Sequence, residues 1–109
     1  MSALTPAQAR DLAASGKLML LDVRETKEIA ASGKAEGAVH IPLSLVAMKA
    51  DPRSPDHDSR FRPTLPIAVY CAAGARAGSA VQTLTALGYQ AQNIGGFADW
   101  CACGGAVER

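Results

Sequence analysis

The chain has 109 residues, room for one hydrophobic core and not two. Hydrophobic residues make up 49% and charged residues 19%, the balance of an ordinary globular protein. A formal net charge of +1 offers no global field to nucleic acid or an anionic membrane, so neither is expected as a partner.

The opening residues Met1-Ser2-Ala3-Leu4-Thr5-Pro6 have no basic region and no long apolar run, and do not read as a signal peptide. The longest apolar stretch, Leu18-Met19-Leu20-Leu21, is far too short to span a bilayer. A cytoplasmic location is therefore expected. Aromatics are only 5%, so Ala, Leu, Val and Ile must fill most of the core.

Thr5-Pro6-Ala7-Gln8 predicts a helix start, with Thr5 as cap, Pro6 in the first turn and Gln8 closing a capping box. Gly16 is its expected stop. The apolar run 18–23 predicts a buried parallel strand, and 25–31 a short helix ending at Gly33. Residues 38–41 predict a strand ended by Pro42, and 43–50 a further helix. Residues 51–66 hold four prolines and several charges and predict a surface loop. Residues 67–70 form the clearest strand, followed by a helix from about 76 to 87 that Gly88 stops. A last short strand over 90–94, a Gly95-Gly96 turn and a helical turn from Phe97 to Trp100 complete the pattern. Strands alternating with helices predict an α/β fold, a parallel central sheet of about four to five short strands with helices on both faces, in one domain over 1–109.

The informative join is between strand 67–70 and the helix after it. Ligands of open α/β sheets bind outside the carboxyl ends of the strands, where Cys71 stands. Ala72, Ala73, Gly74 and Ala75 leave the backbone accessible, and Gly74 permits an unusual turn. Backbone N–H groups of such a turn, with the positive end of the following helix, stabilise a thiolate and hold a sulfur or oxyanion beside it. Arg76 is expected to add a cation. A lone Cys after a strand is also commonly just a small buried hydrophobe.

Four segments extend this reading. Leu20-Leu21-Asp22-Val23-Arg24-Glu25, Glu28-Ile29 with Gly33-Lys34-Ala35-Glu36-Gly37-Ala38-Val39-His40-Ile41-Pro42, Ile67 through Arg76, and Asn93-Ile94-Gly95-Gly96-Phe97-Ala98-Asp99-Trp100 occur in this order. Together they resemble the rhodanese family along nearly the whole chain. The resemblance implies a sulfurtransferase of the thiosulfate type. Cys71 would be the nucleophile that becomes a persulfide, and Ala72, Ala73, Gly74, Ala75 and Arg76 the binding loop. It implies a small sulfur donor, a thiol or cyanide acceptor with a protein acceptor as a further option, and no metal or organic cofactor.

The chain departs from the family pattern in three places. Gly33-Lys34-Ala35 stands where Gly-His-Ile is common, which predicts a local structural change. Ala77 replaces a frequent Ser or Thr. The alanine loop lacks the basic residues often found in members that favour thiosulfate.

Asp22 and Arg24 lie at another strand end and either support the loop or form a structural ion pair. Phe97 and Trp100 are expected in the core, His40 as packed, and His57 as solvated. Arg53, Arg60 and Arg62 either reach over the site or simply coat the surface. Cys101 and Cys103 lack two further ligands for zinc, and read as packed or surface residues unless they resolve a persulfide on Cys71. Two other functions remain open. One is a phosphatase or arsenate reductase, whose loop reads C-x5-R where this one reads C-x4-R. The other is a non-catalytic binding module on the same fold.

Overall fold

The computed structural model describes residues 4–109; Met1, Ser2 and Ala3, on which part of the leader reading falls, lie outside them. Helix α1 (Pro6–Ala14) opens with the expected capping box, the Thr5 hydroxyl accepting from Gln8 N–H and the Gln8 side chain from Thr5 N–H. Strand β1 (Met19–Asp22), helix α2 (Thr26–Ser32), the short strands β2 (Lys34–Ala35) and β3 (Val39–His40), and helix α3 (Leu43–Ala50) follow. After a long loop come β4 (Ile67–Cys71), α4 (Ala75–Ala86), β5 (Ala91–Gly96), α5 (Phe97–Ala102) and β6 (Val107–Glu108).

The central sheet has the order β3-β1-β4-β5, all parallel, so the expected fold class holds. Successive strand residues face opposite layers. Leu21, Val69 and Cys71 face Val46, Ala77, Ala80 and Leu84 of α3 and α4. Leu20, Ala68 and Tyr70 face Ala9 of α1 and Trp100 of α5. Both faces are covered, which is why β1 and β4 are buried at every position. Phe97 is partly buried in the same layer as Trp100 and stacks on Tyr70.

The β2–β6 pair carries no signal in the sequence. These two-residue strands are antiparallel, Lys34 opposite Glu108. Neither has an apolar run to mark it. They are joined by pairing across the chain, and Ala35 N–H also donates to the Tyr70 hydroxyl at 2.9 Å. Lys34 braces this corner, with its ammonium on the Ala38 carbonyl at 2.8 Å and paired with Glu108. Gly95 and Gly96, expected as a turn, instead end β5 through a register shift opposite Cys71.

Loop 51–66 is irregular, as expected. It starts where α3 ends and returns to the start of β4, so it lies at the amino end of the sheet. There Met19 N–H donates to the Pro66 carbonyl at 2.9 Å. Phe61 is buried and packs on Tyr89, whose hydroxyl donates to the Ala50 carbonyl. Among the described residues no helix is long and apolar enough to cross a membrane.

Candidate functional site

β1 connects to β3 on one side and β4 lies on the other, so the strand order reverses between β1 and β4. Ligands favour the carboxyl end of the sheet at such a point. Cys71 ends β4 there, with 1% of its surface exposed. The chain must turn sharply to enter α4. Gly74 makes that turn at φ +103°, a conformation a side chain resists.

The turn aims backbone donors at sulfur. Gly74 N–H donates to Cys71 Sγ at 2.9 Å and Ala77 N–H at 3.3 Å. Ala77 thus contributes through its backbone, although its side chain brings no hydroxyl. Ala72, Ala73 and Ala75 are exposed and carry only methyl groups to the rim.

Two residues that sequence reading left unassigned hold this loop. Asn93 on β5 donates from Nδ2 to the Gly74 carbonyl at 2.9 Å and accepts from Gly95 N–H at 2.8 Å. Fixing the carbonyl of Gly74 fixes the peptide unit that follows Gly74. Glu28 on α2 takes both arms of Arg76, at 2.6 and 2.9 Å. Its pairing with Arg76, and then the Glu25 N–H, hold the Glu28 carboxyl at about 2. Reciprocally, Glu28 raises the pKa of Arg76, and the charges of Cys71 and Glu25 add to this through space. Arg76 is near the site as expected, but its fork is already occupied. Sequence offered only the hint that Glu28 and Asn93 each open one of the quoted segments, with no role for either side chain.

Asp22 and Arg24 do not join Cys71. Asp22 has the parity of Leu20 on β1 and projects to the opposite face of the sheet. Arg24 caps it through contacts of 2.8–3.1 Å and also donates to the Gly33 carbonyl and the Ser32 hydroxyl. Burial opposes the charge of Arg24, but Asp22 outweighs it and the pKa rises. The guanidinium lies over Phe97, 4.4 Å from the ring centre. This is the structural ion pair, buried on both sides. His40 packs with Nε2 donating to the Arg24 carbonyl at 2.6 Å.

The loop arginines do not reach the site. Arg60 and Arg62 line a cleft of about 980 Å³ at the other end of β1, with Leu18, Trp100 and Gly104. Arg53 and Arg60 pair with Asp51 and Asp58. His57, expected in solvent, is half-buried with Nε2 unpartnered. Cys101 and Cys103 are at the far end of α5 from Cys71. Cys103 donates from Sγ to the Trp100 carbonyl, and its own carbonyl accepts from Arg10 of α1. All three cysteines are free, and the described residues contain no cluster of three metal-ligating side chains.

The model of the rhodanese-like domain matches residues 5–103. The chain belongs to the rhodanese-like domain family. It is 30% identical over 104 residues to the mouse (Mus musculus) thiosulfate sulfurtransferase/rhodanese-like domain-containing protein 3, covering 89% of this chain and 66% of that protein. It therefore spans just under two thirds of that relative's length. The human single-domain sulfurtransferase matches at 31% identity and a TM-score of 0.73, over 94% of this chain and 96% of that one. A Rhodopseudomonas palustris protein of unknown function, described as a possible tyrosine phosphatase, matches at 31% identity and a TM-score of 0.86, over 99% of this chain and 85% of that one. The rhodanese-like family includes sulfurtransferases.

Proposed function

We propose that this rhodanese-like protein is a sulfurtransferase that carries sulfane sulfur on Cys71 as a persulfide. The observation that carries the reading is the buried Cys71 sulfur at the end of β4, facing the N–H groups of Gly74 and Ala77. Donors held in that geometry favour negative charge on sulfur and need no rearrangement during reaction. The kinship to sulfurtransferases supports the same chemistry.

In the first half-reaction the Cys71 thiolate attacks the outer sulfur of a donor such as thiosulfate. The donor S–S bond breaks and sulfite leaves with its electron pair. In the second, cyanide or a thiol attacks the outer sulfur of the persulfide, and Cys71 returns as thiolate. Two half-reactions on one nucleophile give ping-pong kinetics. The backbone of Ala72, Ala73, Gly74, Ala75 and Arg76 borders the transferred sulfur in this scheme. A small donor and a thiol acceptor, free or on a protein, suffice. The whole chain acts as one domain, and a reducing compartment such as the cytoplasm keeps Cys71 free.

The R. palustris relative is a specific reason to weigh phosphoryl transfer. Against it, Arg76 spends both arms on Glu28 and has no free fork for phosphoryl oxygens. The C-x4-R loop is also one residue shorter than the phosphatase form.

Intact-protein mass spectrometry after incubation with thiosulfate tests the proposal. Wild type should gain one sulfur, about 32 Da, and lose it to cyanide, as covalent catalysis requires. Cys71→Ser should remain folded and gain nothing. Sulfur transfer retained in Cys71→Ser would overturn the assignment, and p-nitrophenyl phosphate hydrolysis dependent on Cys71 would favour the phosphatase reading.

A further inference from the structure

The cleft of about 980 Å³ at the amino half of β1 lies at the far end of the sheet from Cys71. Its size is at the upper end of the range of about 300–1,000 Å³ for small-ligand sites. It runs along the edge of the strand. Met19 faces one layer of the core and Leu18 and Leu20 the other, yet all three line it. The edge is open because β3 is short: it pairs with β1 at Leu21 and Asp22 and no further toward the amino end.

The open edge leaves backbone groups without protein partners. Met19 N–H donates to the Pro66 carbonyl and Val23 N–H to the Tyr70 carbonyl, both toward β4. Alternation along the strand turns the Leu20 N–H and the Leu18 carbonyl the other way, toward the cleft. Among the described residues neither group has a hydrogen bond, although Leu20 is 2% and Leu18 5% exposed. Backbone groups so deeply placed call for a partner.

The charges lining the cleft point the same way. Four charged side chains line it: Arg10, Glu36, Arg60 and Arg62. Asp58 takes Arg60, while Asp11 and the Cys103 carbonyl take Arg10. Among the described residues the side chains of Arg62 and Glu36 have no partner and do not pair with each other. Glu36 belongs to the turn that leads into β3, beyond Leu20. Arg62 belongs to loop 51–66 at the amino end of the sheet, beyond Leu18. A carboxylate, an N–H donor, a carbonyl and a guanidinium, all unpaired, therefore follow one another along one edge.

We propose that this cleft binds a short zwitterionic peptide of about three residues, extended and antiparallel to β1. Its ammonium meets Glu36 and its first carbonyl accepts from Leu20 N–H. The N–H of its third residue donates to the Leu18 carbonyl, and its carboxylate takes the fork of Arg62. An antiparallel strand centred opposite Met19 makes these two backbone bonds. The walls at Ala13, Leu65 and Trp100 suit an aliphatic side chain. The site is independent of the chemistry proposed for Cys71.

The probe is alanyl-leucyl-alanine, beside its N-acetylated and its C-amidated forms. Nitrogen-15 spectra of the folded wild type read both binding and the Leu20 amide. Saturable binding with a Kd of about 1 mM is expected. The Leu20 amide proton should move downfield and exchange with solvent several-fold more slowly. Acetylation and amidation should each weaken binding about three- to fivefold, the scale of an exposed ion pair. Glu36→Gln should erase the penalty of acetylation alone, and Arg62→Gln that of amidation alone. Both side chains are exposed, so both variants should melt like wild type.

No saturable shift up to about 10 mM tripeptide would overturn the proposal. So would binding that leaves the Leu20 amide unmoved, or blocked peptides that bind wild type as tightly as the free one. Hexanoate binding as tightly as the tripeptide would overturn it too, by assigning the cleft to a simple apolar anion. Should a variant not fold, the blocked peptides put the same question to the wild type.

Discussion

At the scale of single residues, the Cys71 site depends more on backbone than on side chains. The loop offers methyl groups and N–H donors, and its geometry is held from β5 by the Asn93 amide. Asn93→Ala removes the donor to the Gly74 carbonyl and the acceptor for Gly95 N–H at once. Both backbone groups are partly exposed and can turn to water, so the fold should survive with a loss of about 1 kcal/mol. The peptide unit between Gly74 and Ala75 loses its anchor, which should loosen the turn that carries the Gly74 and Ala77 N–H groups to sulfur. Alkylation of Cys71 by iodoacetamide at neutral pH is expected to slow several-fold in Asn93→Ala, with an unchanged circular dichroism spectrum. Equal alkylation rates would mean that the loop holds its shape without Asn93. Gly96 constrains the same place differently: a Cβ there would collide with the Ala72 carbonyl, so the end of β5 sits directly against the loop.

At the scale of elements, α2 is the piece that packing alone does not secure. None of its seven residues is buried. Polar links at both ends hold it. Arg24 reaches from the end of β1 to the Ser32 hydroxyl and the Gly33 carbonyl, while Glu28 reaches α4 through Arg76. The Asp22–Arg24 pair is the buried anchor of this arrangement, with side chains 0% and 4% exposed. Asp22→Ala would leave an uncompensated buried guanidinium and is expected to cost about 3–5 kcal/mol. Urea unfolding measures this directly, and a loss below about 1 kcal/mol would mean that the Phe97 ring, the Ser32 hydroxyl and the Gly33 carbonyl suffice for Arg24. Because the pair sits across the sheet from Cys71, its removal should act on transfer only through stability. Activity per folded molecule is the quantity to compare.

At the scale of the whole molecule, the acid limb of stability follows from two partly exposed pairs, one joining α2 to α4 and one closing within loop 51–66. Arg76 holds the Glu28 carboxyl at about 2 against an ordinary 4.5, and Arg60 holds that of Asp58 at about 2 against 3.8. Both folded values lie below the unfolded ones. The stabilisation is thus complete above the unfolded values and lost as pH falls from them toward about 2. The double variant Glu28→Gln with Asp58→Asn should show a flatter fall in unfolding free energy over that acid range. Both pairs are partly exposed, so the difference should be small and shrink further in salt. A profile as steep as wild type would assign the acid limb to other carboxylates. Topology also decides what covers the site. α3 runs away from the carboxyl end of the sheet, so the prolines and arginines of 51–66 are delivered to the amino end and leave the Cys71 mouth uncovered by that loop.

The sequence by itself determined what short-range patterning encodes. Thr5-Pro6-Ala7-Gln8 marks the start of α1 because its capping bonds close within one turn. The continuous apolar runs at 18–23 and 67–70 mark strands buried on both faces, and Gly74 after Cys71 marks the sharp turn at the carboxyl end of β4. Tertiary structure decided everything that depends on residues meeting across the chain. Glu28 and Arg76 are 48 positions apart, Asn93 and Gly74 are 19, and Lys34 and Glu108 are 74. A polar side chain carries no periodic signature of its partner, so Arg76 looks free in sequence and is bound in the fold. The same holds for the faces of the sheet. Asp22 and Cys71 both stand at carboxyl ends of neighbouring strands, but register and side-chain alternation put them on opposite sides of it.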